Sequence, residues 1–326
     1  MINSKAIVLR HFGGYDELKP EVVLVSEPGH GELLLRQTAI GVNFHDCYVR
    51  SGLYKTLELP GIPGVEACGV VEALGEGVEG FVPGDRVAYV SSKYGAYAQH
   101  RCLSAALAVK IPNSVTDSVA AALMVKGLTA AVLLHDVCSI RPGDIILVHA
   151  AAGGVGSLLC QWASHIGAEV IGTVGSEAKL EVAKANGCKH TINYTSSDFV
   201  KEVKRITSGA GVTAVYDSVG KDTFNRSLQS LAPMGHLVNF GQSSGPVDPF
   251  APSLLAHGSF SVTRPILFHY ISNPARLLHN ANLLFDALSR RIIRVQSITE
   301  YSLDDAGRAH EDLEGRRMIG SPVLRP

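Results

Sequence analysis

The chain has no C-x-x-C pair, no H-E-x-x-H and no close group of cysteines and histidines. It therefore lacks the spacings by which structural and catalytic zinc sites are read from sequence. Its cysteines, Cys47, Cys68, Cys102, Cys138, Cys160 and Cys188, are scattered. Their even number allows disulfides, but the scatter and the lack of a secretory signal fit reduced thiols better. The N-terminal MINSKAIVLR has too short an apolar stretch for such a signal. No excess of one charge exists, since 29 Lys and Arg face 30 Asp and Glu, a net of -1. That balance argues against a protein built mainly to bind nucleic acid, though not against a local basic patch. No stretch approaches the roughly 18 apolar residues of a membrane span, and low-complexity segments and obvious repeats are missing. The expectation is a soluble, cytoplasmic protein, whose 326 residues suffice for about two domains.

What is present concentrates in DIILVHAAAGGVGSLLCQWASHIGAEVIGTVGSEAK, Asp144 to Lys179. Ile145 to Val148 is a continuous apolar run, as in a parallel strand buried on both faces. Ala151-Ala152-Gly153-Gly154-Val155-Gly156 follows, a G-x-G-x-x-G fingerprint with Ala151 in place of its first glycine. Gly153 would let the backbone approach a pyrophosphate, and Gly156 would let helix pack on strand. Val155, Leu158, Leu159, Trp162, Ala163 and Ile166 then keep one helical stripe apolar. The helix N-terminus points free N–H groups and a positive dipole end at the phosphates. A tight βα turn without ligand is the plain alternative; the flanking strand and amphipathic helix favour a dinucleotide.

The end of the second strand, Glu169 to Val174, identifies which dinucleotide. An NAD-binding chain carries an acid there for the ribose 2′-hydroxyl. This chain has Gly172 and Thr173, then Ser176 and Lys179. A hydroxyl and an ammonium hold a 2′-phosphate that an acid would repel, so NADPH is expected. Glu177 is placed in the first turn of the next helix, where acids suit the dipole.

Before this segment, Lys5 to about Pro112 reads as short strands broken by Gly/Pro turns, such as Pro83-Gly84-Asp85, a compact β-rich barrel. Asp117 to His135 reads as a connecting helix. From Arg141 the grammar is βαβ. Helices are expected at Glu177–Asn186, capped by Gly187, at Ser197–Thr207 and at Asp222–Leu231. Strands are expected at His190–Asn193, Val212–Ser218, His236–Gly241 and Ser259–Thr263. With the first two these make a doubly wound six-stranded sheet, ligand at the carboxyl ends. Asp217–Gly220 and Phe240–Ser244 sit at such ends. The tail, with a helix at Pro274–Arg290, is expected to rejoin the β-rich domain. The domains are thus residues 1–125 with 265–326, and residues 126–264.

NFHDCYVRSGLY at Asn43–Tyr54, PGDRVAY at Pro83–Tyr89, AAAGGVG at Ala150–Gly156, VYDSVG at Val215–Gly220 and NFGQSSG at Asn239–Gly245 occur in one order. VTRP at Val262–Pro265 and DAGRAHEDLEGR extend it. Over essentially its whole length the chain resembles the zeta-crystallin-like NADPH:quinone oxidoreductases, the zinc-independent branch of the medium-chain dehydrogenase/reductase superfamily. The resemblance implies an α/β chain with a GroES-like catalytic domain, a Rossmann domain and the active site in the cleft between them. It also implies a homodimer or homotetramer pairing through the last Rossmann strand, Ser259–Thr263. NADPH contacts carried over are Asn43, Gly153, Gly154, Val155, Ser176, Lys179, Tyr194, Phe240, Ser243 and Arg316. Gly172, Thr173 and Ser218 join them as residues at strand ends. Lys179 and Tyr194 would sit by the 2′-phosphate. Where zinc alcohol dehydrogenases carry a ligand cysteine this chain has Asn43, and their G-H-E reads Gly64-Val65-Glu66. No metal is expected, and without a Lewis acid for an alkoxide, simple alcohol oxidation is disfavoured.

A quinone is already electrophilic, so the protein must mainly position it against the nicotinamide and exclude water. Donors aimed at the quinone oxygen would stabilise developing charge. Asn43, Tyr48 and Tyr54 are the candidates, and Thr129 in KGLTA is a weaker one. Packing against the barrel is the plain alternative for both tyrosines. Asp46 reads as structural, and the role of His45 stays open. Quinone reduction by hydride or single-electron steps, enone or enoyl reduction, and an NADPH-binding crystallin or RNA-binding protein with little turnover all remain open at this level.

Overall fold

The computed structural model describes residues 1–295, 297–315 and 320–326. Ile2–Leu9 (β1) buries Ala6, Ile7, Val8 and Leu9. It pairs antiparallel with Leu18–Val25 (β2), where Val22 and Leu24 alternate outward, the pattern of a sheet with one wet face. The main β scaffold of this unit comprises Glu32–Gly41 (β3), Glu66–Leu74 (β4), Arg86–Val90 (β5), His100–Ser104 (β6) and Ala108–Lys110 (β7). Leu33, Leu35, Ile40, Val71, Val87, Tyr89 and Tyr97 fill its core. The helix Phe44–Ser51 (α1) follows β3 directly.

Asp117–Val132 (α2) continues into a π turn at Leu133–Val137, two residues past the expected end at His135. This corrects one expectation. Over Asp117–Val137 the helix is long and apolar enough to cross a membrane, with 72% of its most apolar window buried inside the protein. Residues 1–125, 271–285 and 295–326 form one unit; residues 126–270 and 286–294 form the other.

The second unit is a parallel sheet of Ile145–Val148 (β8), Glu169–Val174 (β9), His190–Asn193 (β10), Val212–Asp217 (β11), Leu231–Asn239 (β12) and Ser261–Thr263 (β13). Its order is β10-β9-β8-β11-β12-β13, so the strand order reverses between β8 and β11, the switch point where such sheets bind ligands. Gly154–Ile166 (α3) follows β8. The expected strands are found, with one difference of substance. β12 starts at Leu231, where a helix end was expected; that helix is shorter, Phe224–Gln229. Pro233 and the left-handed Met234 (φ 63) bend the strand there, and the pairing register shifts. This interrupts the alternation from which a strand is read.

The chain ends in Ile298–Ser302 (β14) and Ser321–Arg325 (β15). β15 pairs with β3, giving a sheet ordered β14-β15-β3-β4-β5-β7, with β6 also on β3. The expected helix before them runs Pro274–Ser289.

Candidate functional site

The glycine turn is built as its residues require. Gly153 is the N-cap of α3 in extended conformation, and a side chain on Gly156 would collide with the carbonyl of Ala150. The helix can approach β8 only because that position is bare. Gly153, Gly154 and Val155 thus stand together at the helix start, where free N–H groups point out of the helix end. The stem of Lys126 lies over Gly154, with Cδ and Cε 2.9 and 3.0 Å from where a Cβ would sit. Lys126 is 8% exposed. Sequence reasoning passed over it, although a single charge inside the apolar run ALMVKGL was a usable signal.

Around the end of β9 the candidates divide. Ser176 caps the short turn Glu177–Lys179, and the Lys179 N–H donates to the Ser176 carbonyl at 3.1 Å. The hydroxyl of Tyr194 sits over Gly175, 2.8 Å from where a Cβ would be. Ser176, Lys179 and Tyr194 therefore belong to one corner. Glu177 accepts from Asn193 Nδ2 at 2.6 Å, which ties it down. Gly172 is packed between Cys188 and Ala151, and Thr173 is fully buried with its hydroxyl on His149 Nδ1 at 2.8 Å.

That contact opens a polar chain inside the sheet that the sequence did not disclose. His149 Nε2 meets Ser227 Oγ at 3.0 Å, and Ser227 donates to Asp217 at 3.2 Å. Asp217 also accepts from Thr223 and from the Val219 and Gly220 N–H groups. Burial lowers the His149 pKa, opposed by the nearby Asp217. Such a satisfied network fixes the carboxyl ends of β8, β9 and β11 relative to one another. The two other strand-end turns are joined as well. Ser243 N–H donates to the Ser218 carbonyl at 3.1 Å, Ser244 N–H to Val219 at 2.9 Å and Phe240 N–H to Asp217 at 2.8 Å. Ser218, Phe240 and Ser243 are thereby brought together. Thr129 is half-buried on α2, and Arg316 lies outside the described residues.

In the first unit Asn43 is the N-cap of α1, and Asp46 reaches back to accept from its N–H at 2.8 Å, half of a capping box. The Asn43 amide donates to Glu66 at 2.7 Å, and the other Glu66 oxygen accepts from the Val125 N–H. Glu66 is fully buried, so this pairing is what makes its burial tolerable. One of the two Asn43 amide protons is therefore already committed. Tyr48 and Tyr54 pack edge to face at 5.2 Å, and the Tyr54 N–H donates to the Tyr48 carbonyl. His45 packs on Tyr54 at 5.7 Å and stacks on Tyr94 at 5.9 Å. Its Nε2 lies 3.0 Å from the Tyr94 hydroxyl, which lies 2.6 Å from Thr56 Oγ1. Burial brings the His45 pKa down to about 4. Sequence reading missed Thr56, which lies just beyond the motif ending at Tyr54, and Tyr94, which carries no motif and lies far from His45 along the chain.

Among the described residues no group of three or more His, Cys, Asp or Glu side chains could hold a metal ion. Residues 154–279 match the zinc-binding dehydrogenase family, and residues 29–113 match the alcohol dehydrogenase GroES-like domain. Fold and site thus define a two-domain dinucleotide-binding oxidoreductase. A 2-haloacrylate reductase of a Burkholderia species is 44% identical over 98% of this chain and 98% of its own. A quinone oxidoreductase of Pseudomonas aeruginosa is 43% identical over 99% of this chain and 100% of its own. The crystal structure of Escherichia coli quinone oxidoreductase complexed with NADPH has a TM-score of 0.96 at 41% identity, covering 99% of this chain and 100% of that one. The chain belongs to the quinone oxidoreductase family of the medium-chain dehydrogenase/reductase superfamily.

Proposed function

We propose that the protein is an NADPH-dependent quinone oxidoreductase. The observation that carries this is the corner at the end of β9, where Ser176 and Lys179 share one short turn, the Tyr194 hydroxyl lies over Gly175 and Glu177 is held by Asn193. A hydroxyl, an ammonium and a phenol suit a 2′-phosphate, and the bare glycine turn beside it suits the pyrophosphate. Bound NADPH supplies a hydride from its nicotinamide ring. The N–H groups at the start of α3 hold the pyrophosphate, and Ser218, Phe240 and Ser243 line the path beyond it. Asn43, Tyr48 and Tyr54 act on the acceptor. The uncommitted Asn43 amide proton and the two phenols donate to the quinone oxygen on which negative charge builds. Thr129 is a weaker donor. Substrate is a small quinone, and the protein works in the cytoplasm as a homodimer joined through the exposed edge of β13. No membrane and no nucleic acid takes part.

The 44% identity to a 2-haloacrylate reductase favours a second reading, reduction of an electron-poor carbon–carbon double bond. The same donors would polarise a carboxylate or carbonyl, and a proton would go to the α-carbon. The test is oxidation of NADPH by purified protein with small ortho- and para-quinones beside 2-haloacrylates and enones, with NADH as the cofactor control. Fast quinone turnover with NADPH and little with NADH is the expected result. Preference for the alkene panel moves the protein to the second reading. Equal use of NADH removes the 2′-phosphate assignment.

A further inference from the structure

The three hydroxyl and imidazole groups beside α1 have an arrangement that holding a loop does not require. Thr56 Oγ1, Tyr94 Oη and His45 Nε2 form an unbroken hydrogen-bonded line, with steps of 2.6 and 3.0 Å. Its outer end, Thr56, is exposed, and its inner end, His45, packs at a tilt on Tyr54. His45 stands two residues after Asn43, in the first turn of α1. The line therefore begins in solvent and ends among Asn43, Tyr48 and Tyr54, which the proposed function places on the acceptor.

We infer that Thr56, Tyr94 and His45 are a proton-entry line that completes reduction of the acceptor. This inference rests on the reading of that loop as the acceptor site. A quinone that has gained a hydride carries one negative charge and lacks one proton. His45 gives it the Nδ1 proton and takes the Tyr94 proton on Nε2. Tyr94 takes the Thr56 proton, and Thr56 takes one from water. Quinone plus hydride plus one solvent proton gives hydroquinone; each protein group keeps its number of protons, and His45, left as the Nε2–H tautomer, returns to Nδ1–H by proton exchange with solvent before the next turnover.

Two features suit the line to this. The same contacts can be made with either direction of donation, because each hydroxyl both donates and accepts and neutral imidazole does the same through its two nitrogens. Burial raises the Tyr94 pKa and lowers that of His45, so both stay neutral at neutral pH. Neither traps the proton as a resident charge.

Tyr94→Phe keeps the ring stacked on His45 and removes the central hydroxyl. The expected result is a fall in quinone turnover of about ten-fold or more, a larger solvent deuterium isotope effect on kcat, and NADPH affinity by fluorescence titration within two-fold of wild type. Thr56→Val should shift the isotope effect the same way, and Thr56→Ser should restore it. Tyr54→Phe is measured alongside. If Tyr54→Phe lowers turnover while Tyr94→Phe leaves turnover and isotope effect unchanged, the proton line is wrong and the acceptor loop stands. If neither variant changes turnover, the loop assignment fails and takes the line with it. If Tyr94→Phe weakens NADPH binding and lowers melting with no change in isotope effect, Tyr94 is a structural residue and the inference is overturned.

Discussion

Acidifying the protein should destabilise it, and the share carried by His310 follows from its surroundings. This side chain is fully buried, with Nδ1 3.4 Å from an Arg50 guanidinium nitrogen and Nε2 2.9 Å from the Tyr97 hydroxyl. Arg50 can only donate, so Nδ1 must accept, and Nε2 carries the proton toward Tyr97. Tyr97 in turn donates to Asp46 at 3.3 Å. Protonating Nδ1 would set a donor against a donor and a cation against a buried guanidinium, itself paired with Glu314 at 2.9 Å. Burial, and then Arg50, bring the His310 pKa down from 6.5 to about 3. Between those values the unfolded chain binds a proton that the folded chain does not. Stability is therefore complete above the unfolded pKa and falls as pH drops toward 3, at about 1.4 kcal/mol per unit. From neutral pH to pH 5 the span below 6.5 is 1.5 units, a loss of about 2 kcal/mol. Denaturant unfolding of wild type and His310→Gln at pH 7.5 and 5.0 measures it, because the other histidines contribute equally to both proteins. The transition that moves in His310→Gln at pH 7.5 reports the unit carrying this residue. The variant should lose about 2 kcal/mol less than wild type over that interval. An identical loss in both proteins refutes the reasoning.

Lys179→Ala should weaken NADPH binding by about 1.5–3 kcal/mol, the range for a hydrogen bond to a charged group, and leave NADH nearly unchanged; equal weakening of both in fluorescence titration sinks the 2′-phosphate role. Glu66→Gln replaces an acceptor by an amide whose NH2 must face either Asn43 Nδ2 or the Val125 N–H, both donors. It should cost about 1–3 kcal/mol in unfolding measurements, and a variant as stable as wild type would show the carboxylate to be dispensable. Gly156→Ala forces a methyl against the Ala150 carbonyl and should cost about 1–3 kcal/mol together with NADPH affinity; unchanged melting would mean that α3 can shift freely.

The segment from β8 to β9 was legible because each of its signals is local. An apolar run, a glycine turn, an apolar stripe and a second strand follow one another, and the structure returns Ile145–Val148, Gly154–Ile166 and Glu169–Val174. Local grammar failed where the backbone departs from its period. The bend at Pro233 and Met234 hid the first half of β12, and the π turn after Val132 carried α2 beyond its expected end. The candidate site divides in the same way. The corner of Ser176 and Lys179 lies within one short turn and could be argued from charge. The chain linking Thr173, His149, Ser227 and Asp217 draws on four separated segments. The line from Thr56 to His45 likewise needs Tyr94 brought in from a distant loop. In each the individual residue looks ordinary until folding supplies its partner.

The bond between Asn43 and Glu66 also bears on how this chain could change over generations. Two of the differences from the zinc alcohol dehydrogenases that the resemblance brings out fall at Asn43 and Val65. Reverting Asn43 alone to cysteine strips a fully buried carboxylate of one of its donors. Reverting Val65 alone, at 1% exposure, pushes an imidazole into filled space. Each single replacement goes downhill in stability before any metal could compensate, so the packing around Glu66 and Val65 opposes installing metal ligands here one at a time.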